Sequence, residues 1–305
     1  MSERELDALT IVLSPTSQYF LAGALFTLMF AIAMGLKQSD FAFLKSHKRL
    51  FWGGLAGQIV ALPLATIALA MLLQPAPSIA LGMIVIAACP GGNVSNFMTD
   101  MAGGDTAYSV SLTAGSSVIA SLWTPFAILF WSDLYQPTGA LLETINFNRA
   151  GFIAQTVALL ALPLTLGMTV RALRPALADR LKAPLALAGA FVLGSVIITG
   201  MAEFVPILLG AWALIMVPVI AHNTVAFGLG AATGRLLGTT PRRRRSLTFE
   251  IGIQNTGLAV VLLLSQLNGL GGAAAIAVVW GVWHFFSGGA MIALYRYLDH
   301  RRSTT

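Results

Sequence analysis

The sequence predicts an all-α, polytopic membrane protein of about nine transmembrane helices, arranged as an inverted repeat with two broken helices. Three observations carry this prediction. The 305 residues are 57% hydrophobic and only 10% charged, whereas soluble domains carry about 25% charged residues. The apolar runs are long and lack the strict alternation of barrel strands. Two glycine-rich polar stretches, at residues 89–96 and 250–257, interrupt otherwise apolar segments.

Nine segments are long enough to cross the hydrocarbon core, which needs about 20 apolar residues per helix. The third and the eighth contain the polar interruptions. The predicted segments are about 18–36, 50–73, 79–100, 105–132, 149–172, 183–200, 206–236, 246–266 and 271–296.

The basic residues predict the orientation of these segments. The chain carries 18 lysines and arginines, and 16 of them follow segments one, five, seven and nine, which places them on one side of a nine-helix arrangement. Basic loops stay cytoplasmic, so we expect the N-terminus outside and the C-terminus in the cytoplasm of a bacterial inner or plasma membrane. The run Arg242, Arg243, Arg244 and Arg245 is then a topology anchor, although a lipid-headgroup patch is an alternative. Nucleic acid is not an expected partner.

The polar stretch at residues 133–148 divides the single domain, residues 1–305, into parts of four and five segments. Each part has its broken segment in the penultimate place, and the two broken segments run in opposite directions. Interrupted segments in corresponding positions indicate an inverted repeat with a binding site near the membrane midplane. Broken helices of this kind are typical of ion-coupled transporters.

The first break is predicted at Pro90, which lacks a backbone N–H and clashes with the preceding turn. Gly91 and Gly92 then make an unwound segment inexpensive. Short neutral oxygen donors without a histidine or cysteine cluster suit a weakly held alkali cation. In this region they are Asn93, Ser95, Asn96, Ser109 and Thr113.

Glu250 opens the second break and is the most informative single residue. An intramembrane carboxylate is commonly an ion ligand or a proton carrier, but a carboxylate at headgroup level, paired with the nearby Arg245, is the alternative. Gln254 follows four residues later. Gln58 is an isolated amide in segment two, where a hydrogen bond between helices is also common.

Other polar residues fit ordinary packing roles. His222 and His284 are more often interhelical donors than proton relays, and Cys89 is a small packing residue. No paired catalytic carboxylates, nucleophile elbow or P-loop occur in the sequence, so we do not expect an enzyme. No cofactor or obligate protein partner is expected.

Several motifs together resemble the bile acid:sodium symporter family over nearly the whole chain. They are GLKQSDF at 35–41, CPGGNVSNFMT at 89–99, LWTP at 122–125, HN at 222–223 and EIGIQNTGLA at 250–259. The resemblance implies that the two unwound helices cross within a core part, about 49–148 and 204–298, beside a panel part, about 18–48 and 149–203. Many relatives have asparagine where this chain has Phe285, so its substrate contacts are expected to differ.

The resemblance also implies two sodium sites behind the crossover, both using Glu250. One would be formed by Ser95, Asn96, Ser109, Thr113 and Glu250. The other would be formed by Gln58, Glu250 and Gln254, with main-chain oxygens near Ile251 and Ile253. The substrate would lie between core and panel, near Asn93, Asn255 and His284.

The function expected from residues and resemblance together is secondary active transport by alternating access. Sodium would be cotransported with an organic anion, either bile-acid-like or a small carboxylate such as a keto or hydroxy acid, across the lipid bilayer. The alternative is a sodium-independent carrier, proton-coupled or effluxing, in which Glu250 carries a proton.

Overall fold

The computed structural model describes residues 2–11, 14–145, 147–202, 205–267 and 269–303. A 3₁₀ turn, Gln38–Phe41, precedes α3, and a five-residue π-helical segment, Gly57–Ala61, joins α4 to α5. The α-helices are α1 (Glu3–Ala8), α2 (Pro15–Gly35), α3 (Ala42–Ser46), α4 (Lys48–Ala56), α5 (Leu62–Leu73), α6 (Pro77–Ala88), α7 (Asn93–Met101), α8 (Thr106–Leu134), α9 (Gln136–Thr144), α10 (Arg149–Leu173), α11 (Pro175–Ala202), α12 (Val205–Gly210), α13 (Trp212–Leu236), α14 (Pro241–Gly252), α15 (Thr256–Ser265) and α16 (Gly271–Ser303).

Six helical stretches among the described residues are long and apolar enough to span a membrane: Pro15–Gly35, Lys48–Leu73, Thr106–Leu134, Arg149–Leu173, Trp212–Leu236 and Gly271–Arg301. Their outer faces carry large apolar side chains, such as Leu72 at 78% exposure and Phe286 at 66%. Continuous exposed apolar surface is expected for helices that face lipid. The prediction of an all-α polytopic membrane protein is confirmed.

The three remaining predicted segments are also helical in the structure. The third consists of α6 and α7, the eighth of α14 and α15, and the sixth lies within α11. The helices extend beyond the apolar runs, because polar residues can continue a helix outside the bilayer. For example, α11 begins at Pro175, eight residues before the predicted segment, and its first turns include Asp179. There the hydrogen bond from Arg171, together with Lys182, holds the pKa of Asp179 below its usual range.

Both breaks occur at the predicted positions, and they contact each other. Residues 89–92 separate α6 from α7, and residues 253–255 separate α14 from α15. Gly91 and Gln254 form an isolated antiparallel bridge. The Asn255 N–H donates to Pro90 O at 2.9 Å, and the Gly92 N–H donates to Ile253 O at 3.4 Å. The unwound backbones therefore satisfy part of their hydrogen-bonding potential at the crossing point, as lipid-buried backbone must.

The basic loops meet at one end of the helix bundle. Arg243 forms an ion pair with Asp105 at 3.1 Å and lies over the ring of Phe43 at 5.1 Å. Arg245 forms an ion pair with Asp299 near the end of α16. Segments that the sequence assigned to one side of the membrane are thus joined by charged contacts on one side of the structure.

The first and last long helices, α2 and α16, have different neighbours. α2 packs mainly against α10 and α11, whereas α16 packs against α6, α13 and α15. At the opposite end from the arginines, the segment after α1 pairs with the turn before α16, where the Gly271 N–H donates to Leu9 O at 2.7 Å. Asp7 accepts a hydrogen bond from the Ser78 N–H at 2.8 Å, at the start of α6.

Candidate ion and substrate sites at the helix crossover

Glu250 lies at the centre of a buried cluster of hydroxyl groups. Its side chain is on the last turns of α14 and the residue is 1% exposed. Ser95 on α7 donates to Oε2 at 2.7 Å, and Ser109 on α8 donates to the same oxygen at 3.1 Å. Thr113, one turn further along α8, donates to Oε1 at 2.7 Å. The structure thus brings four of the five residues of the first predicted sodium site into direct contact.

No lysine, arginine or histidine forms an ion pair with Glu250 among the described residues. The headgroup-level alternative does not apply, because Arg245 instead pairs with Asp299. A carboxylate that is buried without a cationic partner is costly, even when neutral donors surround it. This cluster is therefore suited to receive a cation.

Asn96 completes the first cluster through Thr113. The Thr113 hydroxyl lies 3.1 Å from Asn96 Oδ1 and also 3.1 Å from Ser109 O, besides its contact with Glu250. One hydroxyl proton can serve only one of three acceptors at a time. The two acceptor oxygens that do not receive this proton direct lone pairs at the Thr113 oxygen. A small hard cation bound between these oxygens would remove the repulsion. Thr99, which the sequence analysis did not select, extends the cluster with a 3.3 Å contact to Ser109.

The second predicted cluster lies beside the crossing point. Gln58 lies in the π-helical segment and donates through Nε2 to Gln254 Oε1 at 3.3 Å. Gln254 in turn donates to Ile251 O at 2.9 Å and to Glu250 O at 3.4 Å. Gln58 Oε1 is buried and has no hydrogen-bond partner. An unpaired buried oxygen in an otherwise oxygen-lined region is again a potential cation ligand. Ile253 supplies its carbonyl to the Gly92 N–H instead.

Gly91 makes room for both clusters. A Cβ atom at this position would lie 2.2 Å from Glu250 Oε1 and 3.1 Å from Gln58 Nε2. Any side chain here would therefore displace the carboxylate. At the neighbouring Gly92, a Cβ would meet nothing closer than Gln254 O at 3.4 Å, an ordinary contact.

Two polar residues that the sequence analysis left without a site role hold the ends of the broken helices. Asn223 on α13 donates to Gly252 O at 2.9 Å and accepts from the Ser287 hydroxyl at 2.5 Å. Thr124 on α8 donates to Ala88 O at 3.0 Å. Carbonyls at helix ends have no partner within the helix, and these side chains satisfy them. Each is a polar residue in an apolar segment, which was the available signal in the sequence.

Asn93 and Asn255 lie on the other side of the crossover and line a cavity. Its opposite wall is apolar and comes from α2 and α10, with Met29, Ile32, Leu160 and Leu164. A larger cavity of about 350 Å³ also includes Asn93, together with Asn96 and Thr113, and extends past Lys182. The two asparagines are thus placed between the crossover and the helices of the predicted panel.

His284, the third predicted substrate residue, lies elsewhere. It is 4% exposed and packs edge-on against Trp280 at 5.3 Å, and neither ring nitrogen has a hydrogen-bond partner. It does not line either cavity that contains Asn93. His222 shares a 2.8 Å hydrogen bond with Thr66, in keeping with an interhelical role.

The ligands at this site differ from those of a transition-metal site. The described residues contain no group of three or more histidine, cysteine, aspartate or glutamate side chains that could hold a metal ion. Cys89 is buried beside the first break. The potential ligands are one carboxylate, hydroxyls, amides and main-chain carbonyls, a set that suits a hard monovalent cation.

Comparison with known proteins assigns this arrangement to a family. The chain is 31% identical over 274 residues to YocS of Bacillus subtilis, named an uncharacterized sodium-dependent transporter, covering 88% of this chain and 80% of that protein. It is 27% identical over 260 residues to the human ileal sodium/bile acid cotransporter, covering 84% of this chain and 71% of the relative.

A chloroplast relative is a longer protein, of which the match covers a smaller share. The protein named Probable sodium/metabolite cotransporter BASS1 of Arabidopsis thaliana is 27% identical over 271 residues, which is 88% of this chain but 64% of that protein. The model of the sodium bile acid symporter family matches residues 22–221. This match spans most of the chain, including the first break and its hydroxyl donors. The chain belongs to the sodium bile acid symporter family.

Proposed function

We propose that this protein is a secondary active transporter that couples the entry of sodium to the uptake of an organic anion. The observation that carries the proposal is Glu250, a buried carboxylate surrounded by neutral oxygen donors at the crossing of two broken helices. Bound sodium supplies the positive charge that this site lacks. Membership of the family and the names of the relatives support the same coupling ion.

Two sodium ions bind behind the crossover and share Glu250. The first is held by Ser95, Asn96, Ser109, Thr113 and Glu250. The second is held by Gln58, Glu250 and Gln254 with the carbonyls of Ile251 and Ile253. Support comes from the direct contacts of the first set and from the unpartnered Gln58 Oε1 in the second.

The anion binds on the opposite side of the crossover, next to Asn93 and Asn255. The N-terminus of α7 is directed toward this region, and its N-cap residue, Gly92, provides no side-chain cap. Uncapped N–H groups and the positive end of the helix dipole favour an anion. Asn93 also lines a cavity of about 350 Å³, which does not include Asn255; this volume is within the usual range for small-molecule sites, so a keto or hydroxy acid fits more readily than a bile acid.

Transport follows from movement of the core part, about 49–148 and 204–298, against the panel part, about 18–48 and 149–203. The separate packing of α2 with α10 and α11 supports this division. The arginine-rich end is cytoplasmic under the positive-inside rule, which places the N-terminus outside. The membrane is the bacterial inner or plasma membrane.

The ion site is tested by thermal unfolding of the detergent-purified protein during sodium titration, with potassium replacing sodium at constant ionic strength. Ligands that bind only the folded state raise the melting temperature with concentration. We expect a rise specific for sodium, its loss in Glu250→Gln, and its retention in Glu143→Gln, which neutralises an exposed carboxylate on α9. Equal stabilisation by potassium, or an unchanged response in Glu250→Gln, would refute the site.

A proton-coupled carrier is the second candidate, and the same carboxylate favours it. Because Glu250 has hydroxyl donors and no cationic partner, a proton neutralises it as well as sodium does. Uptake into proteoliposomes separates the two functions. A sodium gradient at equal pH drives uptake in the sodium-coupled protein, whereas a pH gradient without sodium drives it in the proton-coupled one.

A further inference from the structure

A pocket at the arginine-rich end of the bundle is separate from the crossover. It lies where α13 ends, α14 begins and the last turns of α16 pass, and its volume is about 170 Å³. Its wall contains three guanidinium groups together with small and apolar side chains. The lining used below consists of Ala231, Arg235, Arg244, Arg245, Tyr295 and Leu298.

The charges of this pocket are not balanced. Arg245 forms a two-fold ion pair with Asp299, donates to Ala102 O at 2.7 Å and lies over the Tyr295 ring at 4.9 Å. Arg235 and Arg244 form no ion pair with any carboxylate in the described part of the chain. The guanidinium groups of Arg235 and Arg244 therefore line this pocket without a carboxylate partner.

Arg244 shows the strongest need for an acceptor. Its Nε is buried and has no hydrogen-bond partner, and one terminal nitrogen reaches Thr239 O only at 3.4 Å. A buried guanidinium N–H without an acceptor is costly. Arg245 is nearly buried, at 8% exposure, and its pairing with Asp299 fixes its position in the wall.

The chemistry of the pocket matches a phosphate group. Planar guanidinium groups bind phosphate oxygens through paired hydrogen bonds, and a tetrahedral anion can accept from Arg235 and Arg244 at once. Leu298, part of the pocket wall, is 39% exposed, and Leu236, which follows Arg235 in the chain, is 83% exposed. Basic pockets between membrane helices are typical binding sites for anionic lipid headgroups.

We propose that Arg235 and Arg244 bind a phosphate group, presented by an anionic phospholipid or by free phosphate, while Arg245, held by Asp299, forms the wall behind them. The headgroup occupies the pocket while the acyl chains lie along Leu236 and Leu298. Since Arg244 belongs to α14, the helix that also carries Glu250, the bound phosphate fixes the entry of this broken helix at the membrane surface.

The test uses thermal unfolding of the detergent-purified full chain in potassium buffer, so that the proposed sodium sites do not contribute. One titration adds dihexanoyl phosphatidylglycerol, and another adds inorganic phosphate against chloride at equal ionic strength. We expect the wild type to be stabilised and Arg235→Gln/Arg244→Gln to need at least about tenfold more ligand for the same shift. The control, Arg174→Gln/Arg180→Gln, removes two exposed arginines from outside the pocket and should respond as the wild type does.

The two titrations distinguish the sources of the phosphate. Stabilisation by the lipid alone identifies a headgroup site, and equal stabilisation by inorganic phosphate identifies a site for the free ion. Ala231→Phe fills the pocket without changing charge and should lose the response even if the double variant does not fold. An absent response in the wild type, or one that survives Ala231→Phe, overturns the proposal.

Discussion

The two breaks meet at one point but are built differently. The first break, between α6 and α7, combines Pro90 with Gly91 and Gly92, and the N-terminus of α7 has no side-chain cap. The second break, between α14 and α15, contains no proline. There Asn255 caps α15 by accepting a hydrogen bond from the Leu258 N–H at 3.0 Å.

The difference separates two tasks. The first break supplies space and open N–H groups, together with neutral hydroxyls from α7 and α8. The second supplies the charge of Glu250 and closes its own helix end. The cation and anion sites proposed above need both breaks, because Glu250 must be close to its donors while the proposed anion requires an uncapped helix terminus.

Adding a methyl group at the first break should have the largest effect. Gly91→Ala places Cβ 2.2 Å from Glu250 Oε1, so the carboxylate must move away from its hydroxyl donors. We expect sodium-dependent stabilisation and uptake to be lost. Gly92→Ala, in the same turn, meets only an ordinary contact at 3.4 Å and should retain most of both. Equal behaviour of the two variants would contradict the spatial role of Gly91.

Removing one hydroxyl donor of Glu250 should weaken sodium binding while the charge of Glu250 remains. Thr113→Val loses the 2.7 Å contact with Glu250 and the contact with Asn96. Hydrogen bonds to charged groups contribute about 1.5–3 kcal/mol, so we expect the sodium concentration for half-maximal stabilisation to rise at least about tenfold. Thr156→Val is the matched control, because the buried Thr156 hydroxyl has no partner. Its sodium response should equal that of the wild type.

The hydrogen bond to the carbonyl at the end of α6 should come from a single side chain, that of Thr124. Thr124→Val removes the donor to Ala88 O and leaves a buried carbonyl unsatisfied, which costs about 1–3 kcal/mol. A lower melting temperature in sodium-free buffer would show this loss. Thr144→Val removes an exposed hydroxyl that donates to Ala140 O, and we expect a shift close to zero. If Thr124→Val is equally neutral, another group satisfies the α6 terminus.

The two asparagines that face the cavity should separate stability from substrate affinity. Asn255→Ala loses the cap of α15, which typically costs about 1 kcal/mol. Asn93→Ala removes no cap, since it is the first residue of α7, and should leave the melting temperature unchanged. Both should weaken the additional stabilisation by a bound carboxylate in sodium. A thermal scan with and without substrate measures both the stability and the stabilisation by the carboxylate. A lower melting temperature in Asn93→Ala would contradict the expected difference between the two asparagines.

The sequence predicted the positions of the broken helices well, because proline, paired glycines and polar residues in apolar segments are local signals. Glu250, Ser95, Ser109 and Thr113 were each selected for the same reason, whereas their grouping into one site came from the family resemblance. The pairing of residues 90–92 with 253–255 depends on two segments far apart in the chain, which local patterns do not encode. The π-helical turn around Gln58 was also not predicted from the sequence.

Other features could not be foreseen from hydropathy. Thr99 is an ordinary polar residue until α8 places Ser109 beside it. The helix α9 lies within the stretch that was read only as a polar interruption. His284 resembled a substrate residue by motif position, but its orientation toward Trp280 is set by packing within the bundle.

The distribution of Glu250 and its donors between the two halves also orders the biogenesis of the protein. Thr113 precedes Glu250 by 137 residues and Ser95 precedes it by 155, so the ribosome delivers the hydroxyl-bearing helices to the membrane first. Before Glu250 is inserted, Thr113 can donate to Ser109 O in its own helix at 3.1 Å. This hydrogen bond lowers the free-energy cost of holding the hydroxyl in lipid. The carboxylate, which no helix can satisfy by itself, is translated after Ser95, Ser109 and Thr113 and enters a bilayer that already contains these donors.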